Sequence, residues 1–308
     1  MRLINECRPE IDSIPLTRSS LHASWLRREL CQRNAAYARA HDLPHVESYG
    51  EMATIVYEPF AETTRHGNFL DSSYRAILRR QDWKQRLEKI HAQAASSLPH
   101  SDRTWKELDS SMSSDALLMN VFCHPATLKS GVLRSVLSTE VRVLPEFGFK
   151  ARVPLLNGRK DRTEIDMKLD TLLVEAKLTE SDFQSQRWEI VEAYRDLNEL
   201  FDRKRLPRQG ERYLAYQLIR NVLAAHALGC SFCALLDSRR PDLIEACYRV
   251  LKCIRLPELR TRCKVLTWQE LSRLLAPDLQ SFLDFKYGIV PPGNSASTCG
   301  TTEQAWEA

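Results

Sequence analysis

The sequence lacks any apolar run long enough to cross a membrane. Its longest apolar stretches, such as residues 172–174 and 232–236, are far shorter than the roughly 20 residues that a membrane-spanning helix needs. Residues 1–10 also lack the apolar core of a secretory signal. We therefore expect a cytoplasmic protein without a membrane partner.

The sequence also lacks regularly spaced cysteine or histidine motifs. Its nine cysteines are an odd count, scattered without the spacing of a disulfide framework. Cys230 and Cys233 form one close pair, but a zinc site would need a second pair that the later cysteines do not supply. His66, His124 and His226 show no paired spacing. A structural zinc site and a histidine-based enzyme are both disfavoured.

Three further motifs are missing from the chain. It has no glycine-rich phosphate loop, no nucleophile-elbow serine and no dinucleotide fingerprint. What it has is 308 residues, of which 43% are hydrophobic and 27% are charged. This is enough to bury one large core, so we predict one main domain with a helical extension. A formal net charge of +4 permits a polyanionic partner without requiring one.

Helical spacing dominates the first third of the chain. Trp25, Leu26 and Leu30 fall on one predicted stripe, and apolar residues recur at helical spacing within residues 71–90. Asp71 and the two following serines are predicted to cap this second helix. Its interleaved basic residues are either a solvated face or a face that contacts phosphates. We assign residues 1–99 to a helical N-terminal region.

Residues 100–287 alternate between strand and helix patterns. Strands are predicted within residues 140–150, 151–156, 162–169, 171–178, 231–236 and 263–266, and helices near 117–122, within 181–201, 211–228 and 241–252, and after a capping box at 267–270. This order predicts an α/β domain in which helices flank a central mixed sheet. Residues 288–308 are rich in small polar residues and are predicted to be a disordered tail.

The chemically informative segment is residues 162–180, which form two predicted strands joined by a turn near Asp170. Side chains alternate between the faces of a strand, so Glu175 and Lys177 project on the same side. If the preceding strand folds alongside, Asp166 reaches the same place. Two acids and a lysine in an apolar setting are costly unless a metal ion or mutual pairing compensates their charges.

Such a cluster suits phosphodiester hydrolysis. Carboxylate oxygens hold Mg²⁺, which lowers the pKa of bound water, and a lysine positions or activates the nucleophile. An acid-x-lysine pattern is nevertheless common. An ordinary β-hairpin in which Glu175 and Lys177 form a paired, partly exposed edge therefore remains an alternative.

The wider context resembles the PD-(D/E)xK nuclease superfamily, which has the restriction-endonuclease-like fold. Asp166, Glu175 and Lys177 match its acid and acid-x-lysine pattern, and Glu175-Ala-Lys-Leu-Thr-Glu180 resembles a run found in a bacterial branch. Glu146, which stands between Pro145 and Phe147, matches a further acid of that branch. Ile165 stands where the name-giving proline would be, which is a departure from the pattern.

The resemblance implies a metal-dependent nuclease. Asp166, Glu175 and the backbone carbonyl of Ala176 would bind Mg²⁺, with Mn²⁺ as a substitute, while Lys177 would lie near the attacking water and Glu146 would be an auxiliary acid. DNA is favoured over RNA as the substrate. A homodimer would bring two sites together for a double-strand cut.

Other polar residues are candidates for substrate binding. Gln217 and Arg220 lie on a later predicted helix, where relatives supply a polar side chain, although exposed positions on an amphipathic helix would look the same. Arg159, Lys160 and Arg162 form a basic tip that either neutralises phosphates or is simply solvated. A catalytically inactive nuclease fold that serves as a nucleic-acid-binding or interaction module is the alternative function.

Overall fold

Short and medium strands recur throughout the computed structural model, which describes residues 18–48, 54–59, 65–90, 106–139 and 143–293. The strands in these residues are β1 (His45–Glu47), β2 (Ile55–Tyr57), β3 (Glu146–Lys150), β4 (Val153–Pro154), β5 (Lys160–Asp161), β6 (Glu164–Leu169), β7 (Leu172–Ala176), β8 (Gln186–Arg187), β9 (Arg208–Gln209), β10 (Arg212–Tyr213), β11 (Ser231–Leu236) and β12 (Cys263–Thr267).

Helices separate most of these strands. They are α1 (Arg18–Ala40), α2 (Asp71–Leu78), α3 (Gln81–Arg86), α4 (Ser114–Phe122), α5 (Pro125–Lys129), α6 (Gly131–Leu137), α7 (Trp188–Glu192), α8 (Leu197–Leu200), α9 (Tyr216–Ala227), α10 (Pro241–Leu251), α11 (Pro257–Thr261), α12 (Trp268–Ser272) and α13 (Pro277–Tyr287). A 3₁₀ turn, Glu107–Asp109, precedes α4. No helix in the described ranges is long and apolar enough to cross a membrane.

The central sheet has five strands in the order β12-β11-β7-β6-β3. Strands β12, β11 and β7 are parallel, whereas β7, β6 and β3 pair antiparallel. Every residue of β7 is buried, as expected for a strand with a neighbour on each side and helices over both faces. The prediction of an α/β fold with a central mixed sheet flanked by helices is confirmed.

Apolar side chains form a core on each face of this sheet. Leu173 of β7 packs in the cluster that includes α9 and α10. Its neighbours Leu172 and Val174 belong to the opposite cluster, with residues of α1, α4, α12 and α13. This division follows from the alternation of side chains along a strand. Burial of each such leucine contributes about 1.5–3 kcal/mol to folding.

Helix α1 packs against the sheet domain rather than standing apart from it. Leu26 and Leu30 are fully buried, but the Trp25 side chain is 60% exposed, so placing Trp25 on the buried stripe was wrong. Trp25 is adjacent to Leu26 in sequence and points about 100° around the helix from it, away from the buried face. Arg33 donates a 3.0 Å hydrogen bond to the Asp284 carbonyl at the other end of the chain. The boundary at residue 99 stays a prediction.

Two predicted helices are broken. Residues 71–90 form α2 and α3, separated where Arg80 adopts an extended conformation, and Leu70 occupies the N-cap without a side-chain hydrogen bond. The predicted cap by Asp71 is therefore wrong. Residues 181–201 contain β8, α7 and α8 instead of one helix. Strand β8 pairs with β10, a partner distant in sequence that local periodicity does not reveal.

Later boundaries are closer to the prediction. The Asn157-Gly158 turn joins β4 to β5, and the capping box between Thr267 and Glu270 is present. Helix α9 begins later than predicted because residues 212–213 pair as β10. Helix α11 was not predicted. The described chain continues five residues past Gly288, and most of the predicted disordered tail, residues 294–308, lies outside the described residues.

Candidate metal and catalytic site

The site lies where the β6–β7 ladder ends. A turn at Asp170, whose φ is 53°, joins the two strands. Their pairing runs from Leu169 opposite Leu172 to Met167 opposite Val174. Beyond this last pair, the Asp166 carboxylate connects the two strands, because it accepts a 2.8 Å hydrogen bond from the Ala176 N–H. The turn thus fixes Asp166 beside the end of β7.

Glu175 and Lys177 project from the same face of this strand end and form an ion pair. Their Oε1 and Nζ atoms are 2.9 Å apart. The two residues are only 1% and 6% exposed, and β7 lies between β6 and β11. They are paired but do not lie on an exposed edge, so the ordinary-hairpin interpretation is wrong in that respect. A buried pair of this kind needs further polar partners to offset its loss of hydration.

The charges at the site perturb each other. Burial alone would lower the pKa of Lys177, but the carboxylates of Glu175, Glu180 and Asp166 together raise it above its ordinary value. Desolvation raises the pKa of Asp166 well above its ordinary value, and the carboxylates of Glu175 and Asp115 add to this rise. Lys177 is therefore held as the ammonium ion, while the site contains more carboxyl groups than one positive charge can balance.

The backbone carbonyl of Ala176 faces the same place as Asp166. The Lys177 N–H donates a 2.9 Å hydrogen bond to the Leu235 carbonyl of β11. The described residues contain no cis peptide bond, and in a trans peptide the C=O points opposite to the following N–H. The Ala176 carbonyl therefore points away from β11, toward β6 and Asp166.

Helix α9 supplies polar partners from the side of the Glu175 carboxylate. Asn221 Nδ2 donates a 2.7 Å hydrogen bond to Glu175 Oε2. Arg220 Nη2 donates to Asn221 Oδ1 at 2.9 Å and to the Glu164 carbonyl at 2.8 Å. Because Arg220 is only 3% exposed, the solvated-position alternative is wrong for it. Gln217 is half-buried, and its Oε1 has no hydrogen-bond partner among the described residues.

Side chains from several elements hold the chain beyond β7. Glu180 Oε2 accepts a 2.7 Å hydrogen bond from the Leu178 N–H, and its Oε1 accepts one of 2.5 Å from Ser114. Arg240, which is fully buried, donates to the Glu180 carbonyl at 2.6 Å. The indole of Trp268 donates to the Lys177 carbonyl at 3.1 Å. Glu180 thus fixes the strand end rather than capping a following helix.

Comparison with protein families identifies the relatives of this chain. The family model described as Restriction Endonuclease associating with ARP matches residues 19–288. The chain belongs to this family. Comparisons with curated proteins and with solved structures gave no match. Family membership makes the protein nuclease-like and implies interaction with nucleic acid, and the central sheet described above is consistent with a restriction-endonuclease-like fold.

The other predicted residues of this restriction-endonuclease relative lie outside the hydrogen-bonded cluster. Glu146 is exposed on β3, opposite Lys168. Arg159, Lys160 and Arg162 are exposed around the β4–β5 hairpin. Within the described ranges, none of the four forms a hydrogen bond or ion pair with Asp166, Glu175 or Lys177. Their assigned roles stay predictions.

Sequence reasoning missed Asp115 of α4. This buried carboxylate accepts hydrogen bonds from Arg86 at 2.7 Å and from Lys89 at 2.9 Å, and it raises the pKa of Asp166. The sequence could predict that Asp115 lies in the first turn of a serine-capped helix, but it could not predict that Asp115 lies near Asp166. Asn221 was missed for the same reason.

The described residues contain no large cluster of metal-binding side chains, acidic ones included. Over the described part of the chain, no cluster of three or more His, Cys, Asp or Glu residues could hold a metal ion. Asp166, Glu175 and the Ala176 carbonyl offer only hard oxygen donors, which suit Mg²⁺ or Mn²⁺ rather than zinc. Binding of Mg²⁺ or Mn²⁺ at this place stays a prediction.

Proposed function

We propose that the protein is a metal-dependent nuclease that hydrolyses phosphodiester bonds. The observation that carries the proposal is the buried ion pair of Glu175 and Lys177. Beside it, the Asp166 carboxylate accepts a 2.8 Å hydrogen bond from the Ala176 N–H. A structural ion pair would not need a second acid beside it. Two carboxylates, a carbonyl and a lysine at one strand end are the groups that hydrolysis of a phosphodiester requires.

Each residue has a definable task. Asp166, Glu175 and the Ala176 carbonyl would hold Mg²⁺, and a bound cation would lower the pKa of a coordinated water and stabilise charge on the phosphate. Lys177, kept as the ammonium by three carboxylates, orients that water or balances the negative charge that develops at phosphorus. Asn221 fixes the rotamer of Glu175 through its hydrogen bond.

Substrate contacts would come from cations and polar groups around this strand end. Arg220 is already oriented by Asn221 and the Glu164 carbonyl, and Gln217 has a buried oxygen free to accept. Arg159, Lys160 and Arg162 would contact more distant phosphates. We favour DNA as the substrate, with Glu146 as an auxiliary acid and a homodimer for cutting both strands.

Cleavage assays test the proposal. Supercoiled plasmid, linear duplex, single-stranded DNA and RNA are each incubated with Mg²⁺, Mn²⁺ or EDTA, using wild type, Asp166→Ala and Lys177→Ala. We expect metal-dependent cleavage by the wild type and at least about a hundredfold loss in either variant, because each removes a group that acts on the reacting phosphate. Exposed Lys129→Ala is the control and should cut normally.

The alternative is a nuclease fold that binds nucleic acid without cutting it. Binding of the same substrates in EDTA separates the two functions, because a nuclease variant such as Lys177→Ala should still bind. Wild type that binds nucleic acid but cuts none of the four substrates with either metal would replace the proposal with this alternative.

A further inference from the structure

A basic cavity lies between the segment after α8 and the segment after α10. Its volume is about 440 Å³, within the range of roughly 300–1,000 Å³ that is usual for small-molecule sites. It is lined by Asp202, Lys204, Arg205, Lys252, Cys253, Ile254, Arg255 and Arg260. Five of these eight residues are cationic and one is acidic.

Backbone hydrogen bonds join the two segments into one frame. The Asp202 N–H donates to the Cys253 carbonyl at 2.8 Å, and the Arg255 N–H donates to the Leu200 carbonyl at 2.7 Å. The Cys253 thiol donates to the Arg205 carbonyl at 3.2 Å. The cavity wall is therefore formed before any ligand arrives, which lowers the entropic cost of binding.

The five cations lack acidic partners. Within the described residues, none of them takes part in an ion pair. The one acidic lining residue, Asp202, accepts a 3.2 Å hydrogen bond from the Lys204 N–H through Oδ1. The side chains of all five are exposed. Each therefore stays hydrated while it adds to a positive electrostatic potential at the cavity. Cations converging on one concave surface attract a multiply charged anion.

Neighbouring arginines differ in this respect. Arg203 and Arg208 pair with Glu192, and Arg249 pairs with Glu245 at 2.6 Å. Arg262 donates to the Gly229 carbonyl at 3.0 Å. The basic residues around the cavity that serve the fold thus have internal partners. Among the described lining cations, Arg255 also has one, since its Nη1 donates to the Asn198 carbonyl at 3.3 Å, whereas the side chains of the other four are left available.

We propose that this cavity binds a compact oligophosphate, that is, two or more linked phosphate groups. Among the described residues that line it, only Cys253 and Ile254 are apolar, so these residues offer no aromatic surface on which a base could stack. Recognition would rest on charge-assisted hydrogen bonds from arginine and lysine to phosphate oxygens. A compact anion fills a concave site of this size, whereas an extended polynucleotide backbone needs a long stripe of cations.

The cavity is separate from the nuclease site. Arg240, at the start of α10, donates to the Glu180 carbonyl beside the catalytic strand, while Cys253 lies just beyond the other end of this helix. An 11-residue helix is about 16 Å long. An oligophosphate in the cavity would therefore not occupy the position of the phosphate being cleaved.

Calorimetric titration of the full chain with inorganic triphosphate in EDTA tests the proposal, and its readout does not depend on cleavage. We expect saturable 1:1 binding to the wild type. Arg205→Ala/Lys252→Ala and, independently, Lys204→Ala/Arg260→Ala should each bind about tenfold more weakly or worse. Arg28→Ala/Arg39→Ala removes the same charge from exposed positions of α1 and should stay within about twofold of wild type.

Three outcomes would overturn the proposal. The first is no saturable binding of triphosphate by the wild type. The second is an equal loss of affinity in the α1 control, which would mean that only net charge matters. The third is a single-stranded oligonucleotide that loses affinity in the cavity variants while triphosphate fails to bind, which would make the cavity a contact for a polynucleotide backbone. Melting temperatures measured alongside identify any variant that does not fold.

Discussion

The side-chain amide of Asn221 donates a 2.7 Å hydrogen bond to Glu175, although the two residues are 46 positions apart. Asn221 lies on α9, and Glu175 lies at the end of β7, so packing of this helix on the sheet determines the orientation of the carboxylate. The other Glu175 oxygen faces Lys177. The carboxylate is thereby held from two directions.

Asn221→Ala should weaken the response to Mg²⁺. Loss of a residue that orients a metal-binding carboxylate typically lowers metal affinity or activity by about 10–100-fold. We expect the Mg²⁺ concentration for half-maximal cleavage, and that for the Mg²⁺-dependent rise in melting temperature, to increase by this factor. Exposed Asn198→Ala should leave both unchanged, and an unchanged midpoint in Asn221→Ala would show that Glu175 is oriented without it.

Arg240→Met should destabilise the protein. The buried guanidinium pairs with Asp242 at 2.8 Å and donates to the carbonyls of Glu180 and Ser181. Removing one partner of a buried ion pair costs about 3–5 kcal/mol, because the other charge stays buried. Urea unfolding measures the change. Arg249→Met, which removes an exposed pair from the same helix, should have little effect, and equal losses in both would contradict the role assigned to Arg240.

Local pattern was sufficient to predict the two strands of the candidate site, β6 and β7. Asp166, Glu175 and Lys177 lie within 12 residues of sequence, and alternation along a strand plus one tight turn bring them together. The strong apolar strand β11 and the capping box at Thr267 were readable for the same reason, since both signals are contained in a few adjacent residues.

Contacts between distant segments could not be read from the sequence. Packing of α4 against the sheet brings Asp115 close enough to raise the pKa of Asp166. The residues next to Asp115 in the sequence do not predict this proximity. Residues 181–201 have helical spacing, yet Gln186 and Arg187 pair with β10, because pairing with a distant strand outweighs a weak local preference. The positions that sequence reasoning missed are those determined by tertiary contacts.

Lys286→Met should stabilise the protein at neutral pH. Lys286 is fully buried with no acidic partner among the described residues, and desolvation lowers its pKa well below the ordinary value. Since the unfolded chain binds this proton more tightly, wild-type stability rises with pH between the folded pKa and about 10.5. The advantage of the methionine variant should therefore shrink as pH rises across that window, as measured by urea unfolding at pH 7 and pH 10.

The surroundings of Lys286 allow the opposite outcome to be recognised. Its Nζ lies 3.7 Å from the centroid of the Tyr57 ring and 5.0 Å from that of Tyr37, and cation–π attraction favours the ammonium. If this attraction exceeds the cost of desolvation, Lys286→Met will destabilise the protein with no pH trend. Lys129→Met, at an exposed position of α5, is the matched control and should be neutral at both pH values.

Gly67→Ala should destabilise the fold without changing strands β6 and β7 of the candidate site. A Cβ at Gly67 would lie 2.9 Å or closer to three atoms of the Tyr57 ring. That ring is fully buried, and its hydroxyl donates to Asn34 Oδ1 at 2.9 Å, so it has no space into which to move. Overpacking of this kind costs about 1–3 kcal/mol.

Gly131→Ala is the matched control for this substitution. Apart from the adjacent residues and the backbone of its own helix, no atom of the described residues lies within 4 Å of a Cβ built at Gly131, which is the first residue of α6. Alanine has the higher helix propensity, so this variant should be neutral or slightly more stable. Thermal unfolding of both variants decides the matter: equal melting temperatures would mean that Tyr57 yields to the added methyl group and that the β2 segment packs less tightly than its burial implies.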